Sequence, residues 1–181
     1  MKTRDVIWLS GLIVALAAVV SFYVLLERFQ RESEPVPIRS LNLEEFSVLL
    51  YRRGCPAGCP VYAVLAKGSG LLQYEGVENV ATIGSVETRL TEEQAHELFV
   101  EVYRSGMLGM ADVYQPGEPG CFQSIANEAT ITLGVTKDGK THTLTYYYGC
   151  ANRQIALEKL ADRIDAVLNT RQWVRGGGVT F

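Results

Sequence analysis

The chain has 181 residues, with 17 Lys and Arg against 20 Asp and Glu. This near-balance leaves no basic stripe to follow a phosphate backbone and argues against nucleic acid as a partner. The length suits one membrane segment plus one domain of roughly 140 residues, and the lack of internal repeats argues against a solenoid or propeller.

Residues 1–5 form a short polar flank carrying Lys2, Arg4 and Asp5. Residues 6–26 then run uncharged from Val6 to Leu26, interrupted only by Ser10, Gly11 and Ser21. At 1.5 Å per residue, about 21 helical residues cross a hydrocarbon core of about 30 Å, so a transmembrane helix is expected here. Trp8 and Tyr23 sit near its ends, where interfacial aromatics belong. Ala15-Leu16-Ala17 offers a small-x-small cleavage site, yet the apolar run continues well beyond it, which favours a signal anchor over a cleaved signal peptide. Basic residues nearly balance across the segment, so the positive-inside rule alone does not orient it.

Residues 27–42 read as a stalk, charged and carrying Pro35 and Pro37, which favour extended backbone. Residues 43–174 then read as one soluble domain. Phe46, Val48 and Leu50 alternate with polar residues as a first strand. The turn Cys55-Pro56-Ala57-Gly58-Cys59-Pro60 follows, and Val61 to Lys67 returns as the hairpin partner. Gly68-Ser69-Gly70 reverses the chain again, and Leu71 to Glu75 with Asn79 to Ile83 would complete a four-stranded meander.

Thr91 and Gln94 form a capping box, Leu90 and Ala95 are placed as a hydrophobic staple, and Gly106 is the expected helix stop. Asp138-Gly139 suits a type I′ hairpin turn. That turn sets Leu133 opposite Leu144, Ile131 opposite Tyr146, Val135 opposite His142 and Thr132 opposite Thr145, giving an apolar face and a threonine-rich one. A final helix is expected from Asn152 as N-cap, with Leu157, Leu160, Ala161, Ile164 and Leu168 on one face and Trp173 folding back onto the core. The tail 175–181, with Gly176-Gly177-Gly178, reads as disordered. The fold class is therefore α+β: one N-terminal transmembrane helix, then an antiparallel sheet of about six strands with two helices packed on one face.

All four cysteines, Cys55, Cys59, Cys121 and Cys150, lie beyond the membrane run. An even number in a small exported domain points to two disulfides, and hence to an extracytoplasmic domain. Of three connectivities, the favoured one joins Cys55 to Cys59 within a turn and Cys121 to Cys150 across the Asp138-Gly139 hairpin. A redox-active pair would want C-x-x-C spacing at a helix start, and a four-thiolate zinc site would want two close pairs. Neither pattern is present, so no metal or other cofactor is expected.

His96 and His142 lie on different elements and read as flanking or edge residues rather than bases. Tyr146 and Tyr148 fall on the core side of their strand and Tyr147 on the other, which favours packing over a ligand groove. Arg52 and Arg53, at a strand end, read as solvated. Nucleophile elbows, zinc-protease helices and phosphate-binding glycine loops are all missing from the sequence, so no catalytic residue is assigned.

The segment Arg52 to Tyr62, R-R-G-C-P-A-G-C-P-V-Y, resembles an uncharacterised bacterial domain family built around an R-x-x-C-x-x-x-C-P-V-Y hairpin. Tyr74-Glu75-Gly76, Tyr147-Tyr148-Gly149 and a C-terminal helix followed by Trp173 extend the likeness over roughly residues 44 to 174. Pro56 and Ala57 stand where that family usually has phenylalanine and glycine. The resemblance implies an exported or membrane-attached protein, supports the Cys55–Cys59 pairing and transfers no catalytic residue.

Two functional readings follow. The first is a non-enzymatic envelope module, single-pass in the cell membrane, held to the lipid bilayer by its N-terminal helix and binding an envelope protein or cell-wall partner. The second is a membrane-tethered thiol-disulfide oxidoreductase or redox sensor using Cys55 and Cys59.

Overall fold

A computed structural model describes Val20, Ser21, Leu43 and residues 45–175. The chain divides into two units, Met1–Ser40 and Leu41–Phe181, and almost all described residues belong to the second. The expected transmembrane helix, apart from Val20 and Ser21, the stalk, and the tail beyond Arg175 lie outside the described residues. Among those described, no helix is long and apolar enough to cross a membrane.

The second unit is a mixed α+β fold. Its strands are β1 (Ser47–Arg53), β2 (Val61–Lys67), β3 (Leu71–Glu78), β4 (Gly84–Arg89), β5 (Val113–Tyr114), β6 (Thr130–Lys137) and β7 (Lys140–Tyr147). The helices are α1 (Glu92–Ser105), α2 (Ile155–Leu168) and the single turn α3 (Arg171–Val174). All seven strands join one sheet in the order β4-β3-β2-β1-β6-β7-β5.

The meander β1 to β3 forms as its alternation dictates, with Leu50 opposite Val64 and Val64 opposite Tyr74. Inward side chains Val48, Leu50, Val64, Leu72, Leu133 and Leu144 are all but fully buried, and they share one core with Leu98 and Phe99 of α1 and Leu160 and Ile164 of α2. The opposite face carries the partly exposed Leu49, Ala63 and Leu65. Around Asp138-Gly139 the expected register holds at all four pairs, and both turn residues take positive φ, 51° and 71°. On the outward face Thr136 pairs with Thr141 through hydroxyls 2.9 Å apart.

The α1 cap is as anticipated. Gln94 N–H donates to the Thr91 hydroxyl at 3.2 Å, and Thr91 N–H donates to Gln94 Oε1 at 3.0 Å. Gly106 ends the helix in the left-handed region, φ 72°.

Three expectations need correction. The fourth strand is Gly84–Arg89, not Asn79 to Ile83, because that segment finds partners elsewhere: Ala81 N–H donates to Val174 O and Thr82 N–H to Trp173 O. The helix α2 begins at Ile155, not after Asn152, whose side-chain amide instead donates to Gly120 O at 2.6 Å. The sheet has seven strands rather than about six and is not wholly antiparallel, since two-residue β5 pairs parallel with β7 at its edge.

Candidate functional site

Strand β1 carries its inward parity, Val48 and Leu50, one step further to Arg52. Arg52 therefore points to the helix side at the rim of the core, opposite Tyr62 on β2 and Ile131 on β6. The period of two sends its neighbour Arg53 the other way, and the Arg53 guanidinium lies over the Tyr51 ring at 5.4 Å. On α2, Asp162 and Asp165 are spaced i, i+3, and both reach Arg52.

Asp165 is the hub of the network. Its Oδ2 accepts from Arg52 Nε at 2.8 Å and lies 2.7 Å from Nη2, while its Oδ1 accepts from the Tyr62 and Thr170 hydroxyls, each at 2.7 Å. Arg52 Nη2 also donates to Asp162 at 3.0 Å, and Nη1 donates to the Tyr148 hydroxyl at 3.2 Å. The side chains of Arg52 and Asp165 are only 18% and 19% exposed, whereas Asp162 is 75% exposed, so the Asp165 pair is the one withdrawn from water. Burial is the largest influence and opposes the Arg52 charge, but Asp165, Tyr62 and Tyr148 together more than offset it and raise the guanidinium pKa further. Burial and then Asp165 push the Tyr62 hydroxyl well above its usual value. For Tyr148, burial raises the pKa and Arg52 partly opposes the rise.

This network floors a cleft of about 720 Å³ between the end of the sheet and helices α2 and α3. The Cys55–Cys59 turn edges it, with Cys59 and Pro60 in the wall. Since β1 rises about 3.3 Å per residue, the cleft stands roughly 20 Å from where that strand starts, at the far end of the domain.

The cysteines meet in the expected pairs at disulfide distance, Cys55 with Cys59 at 1.98 Å and Cys121 with Cys150 at 2.00 Å. Cys55 and Cys59 are partly exposed in a turn closed by Gly58 N–H donating to Cys55 O; neither begins a helix. Cys121 and Cys150 are each 2% exposed and belong to the core.

A second polar group secures the start of α2. The Tyr146 hydroxyl donates to Glu158 Oε1 at 2.7 Å and accepts from Gln154 N–H at 3.2 Å, so a strand side chain caps the helix. Arg153 donates to the Glu158 carboxylate, and that bond first, then Tyr146, holds the Glu158 pKa below its ordinary value against the effect of burial. Burial, reinforced by the bond to Glu158, pushes Tyr146 up to about 12.

The structure thus separates the tyrosines differently from the strand-parity argument alone. Tyr146 is core, as expected. Tyr147 clasps the preceding loop, donating to Ile125 O at 2.7 Å, and Tyr148 lines the cleft rather than only packing. Arg52 is not solvated as anticipated; its inward parity with Val48 and Leu50 was the available signal. His96 and His142 stay on separate elements, and His142 Nδ1 lies 3.5 Å from Asp112 Oδ1.

Raised tyrosines have a consequence for alkaline stability. Tyr62, Tyr74, Tyr146 and Tyr148 all have folded-state pKa values above the ordinary value of 10. Above that pH the unfolded chain releases protons that the folded chain keeps, so their stabilising contribution is complete below pH 10 and is lost as pH rises through about 12 for Tyr146. A titration followed at 295 nm should show a late tyrosinate phase that coincides with loss of far-ultraviolet circular dichroism. Full ionisation of all tyrosines with the dichroism intact would contradict it.

A family model for a domain of unknown function, DUF6438, matches residues 46–168, more than half of the chain. The match agrees with the expected uncharacterised domain family and speaks neither to the cysteine hairpin motif nor to export. No curated protein matches.

Proposed function

We propose, from the premise that the chain belongs to the DUF6438 family of domains of unknown function, that it is a membrane-tethered extracytoplasmic binding module whose ligand occupies the cleft above Arg52. Tethering rests on the uncharged run Val6 to Leu26, and the extracytoplasmic side rests on the two cysteine pairs at disulfide distance, which an oxidising compartment favours. The binding reading is carried by one observation: a cleft of about 720 Å³ with apolar walls and a fixed guanidinium at its floor. Clefts of about 300–1,000 Å³ with a few convergent polar groups are the usual form of a small-ligand site.

The test is a ligand-observed NMR screen of small organic molecules against the full-length chain in lipid nanodiscs. Ala166, exposed on α2 in the cleft wall, is replaced in parallel by tryptophan to fill the space. Hits should bind the native chain and vanish with Ala166→Trp. A screen in which no hit depends on that residue would sink the reading.

A second reading keeps some support because Cys59 lines the cleft and both Cys55 and Cys59 are partly exposed. A dithiol partner would be oxidised to a disulfide as the Cys55–Cys59 bridge is reduced to two thiols. Against it, the pair lacks a helix start that would lower a thiol pKa. A Cys59→Ser chain that keeps its fold but loses disulfide exchange would favour this reading, and loss of stability alone would favour the first.

A further inference from the structure

We infer that the β4 edge of the sheet pairs with the same edge of a second copy of this chain, antiparallel and centred on Thr88, an inference independent of what the cleft binds. The two ends of the sheet are unlike. At one end β5 is two residues long, which gives a neighbour almost nothing to pair with. At the other, β4 runs from Gly84 to Arg89 without a proline, and its ladder to β3 is unbroken from Leu71 opposite Arg89 to Gly76 opposite Gly84. Among the described residues no strand lies on its outer side, so the backbone N–H and C=O groups directed there have no ladder partner.

Side-chain parity fixes how a second copy meets this edge. Val86 and Leu90 face the helices and pack on the core, while the exposed Glu87 and Arg89 face the other way. Leu90 N–H donates to Gly70 O at 2.8 Å, so the pairing with the rest of the sheet reaches that residue before α1 begins at Glu92. A two-fold axis perpendicular to the sheet keeps the faces of both copies in step, and the residue on the axis then meets its own copy.

Charge selects the register. With Glu87 or Arg89 on the axis, like charges meet. With Val86 there, Arg89 falls opposite Ile83 and finds no carboxylate. Only Thr88 on the axis sets Glu87 opposite Arg89, twice by symmetry, and it also sets Val86 opposite Leu90 on the helix side. Both charges are available for this. Arg89 makes no ion pair among the described residues, and the Glu87 carboxylate accepts from the uncharged Gln73 amide at 3.2 Å. Opposite charges directly across an antiparallel pair attract, and apolar side chains there pack. A strip from Val86 to Leu90 is about 17 Å long at about 3.4 Å per residue. So short a strip buries less than the roughly 1,200 Å² of a stable interface, which makes the dimer weak and readily exchanged.

The test is cross-linking of the full-length chain in detergent micelles. Thr88→Cys places a thiol on the axis, and mild oxidation with diamide should join two such chains, whereas Val86→Cys, off the axis, should join far fewer. Added to Thr88→Cys, either Glu87→Arg or Arg89→Glu sets like charges together twice and should cut the yield about tenfold. A mixture of those two charge variants restores both attractions and should recover it. Glu87, Thr88 and Arg89 are exposed, so these changes leave the core intact, which circular dichroism checks. Joining that ignores both charge changes, joining that favours Val86→Cys, or no joining even at millimolar chain would overturn the inference. Resistance to hydrogen exchange at every β4 amide of the dilute monomer would overturn it too, because some other segment or partner would then hold the outer edge.

Discussion

Replacing Asp165 with alanine is expected to destabilise the domain by about 3–5 kcal/mol, because breaking a buried ion pair from one side leaves the other charge uncompensated. The group left behind is the Arg52 guanidinium, 18% exposed, whose remaining carboxylate partner, Asp162, is 75% exposed and screened by water. The loss extends further, since the Tyr62 and Thr170 hydroxyls give up the same acceptor. Asp162→Ala is the matched control: it removes a carboxylate 3.0 Å from the same guanidinium but 75% exposed, and should cost no more than about 1 kcal/mol. Urea denaturation followed by circular dichroism measures both. Arg52→Met combined with Asp165→Ala should recover part of the loss, as removing both charges avoids the orphan. Equal costs for the two aspartates would mean that the Arg52–Asp165 pair is not withdrawn from water.

The second large effect is expected at the cysteines, and it should be unequal. Closing the roughly 30-residue loop between Cys121 and Cys150 restricts the unfolded chain by about 3.6 kcal/mol, against about 2 kcal/mol for the five-residue loop of Cys55 and Cys59. Burial widens the gap, because Cys121 and Cys150 are each 2% exposed and sit in the core. Cys121→Ala with Cys150→Ala should therefore lower the denaturation midpoint more than Cys55→Ala with Cys59→Ala. Alkylation of the full-length chain under denaturing conditions, with and without reductant, supplies the premise: thiols reactive only after reduction. Four thiols reactive from the outset would remove the entropic argument and the extracytoplasmic assignment together.

Features set by near neighbours were legible in the sequence. The Thr91–Gln94 box closes within three residues, and the Asp138-Gly139 turn fixes the register of Leu133 with Leu144 because the two strands leave it directly. The meander from β1 to β3 follows from alternation interrupted by Gly-containing turns. The mismatches share a cause. Asn79 to Ile83 has the composition of a strand, but α3 offers its carbonyls to Ala81 and Thr82. Asn152 is a good cap by type, yet Gly120 takes its side chain, and the Tyr146 hydroxyl meets the helix start instead.

The candidate site divides along the same line. Alternation from Val48 through Leu50 already turned Arg52 inward, and the helical period already put Asp165 near the buried face of α2. Neither signal pairs them: 113 residues separate Arg52 from Asp165. By itself the sequence determined the meander β1 to β3, helix α1, the β6–β7 hairpin register and the uncharged N-terminal run, since each depends on residues within a few positions of one another. Only the tertiary structure decided the order β4-β3-β2-β1-β6-β7-β5, which inserts β6 beside β1 and brings the start of β6 and the end of β7 to the cysteine turn. The cleft is a product of that order. Its walls come from β1, β2, β6, α2 and α3, and pairings across such distances are selected by the burial and charge compensation of the whole fold rather than by any local pattern.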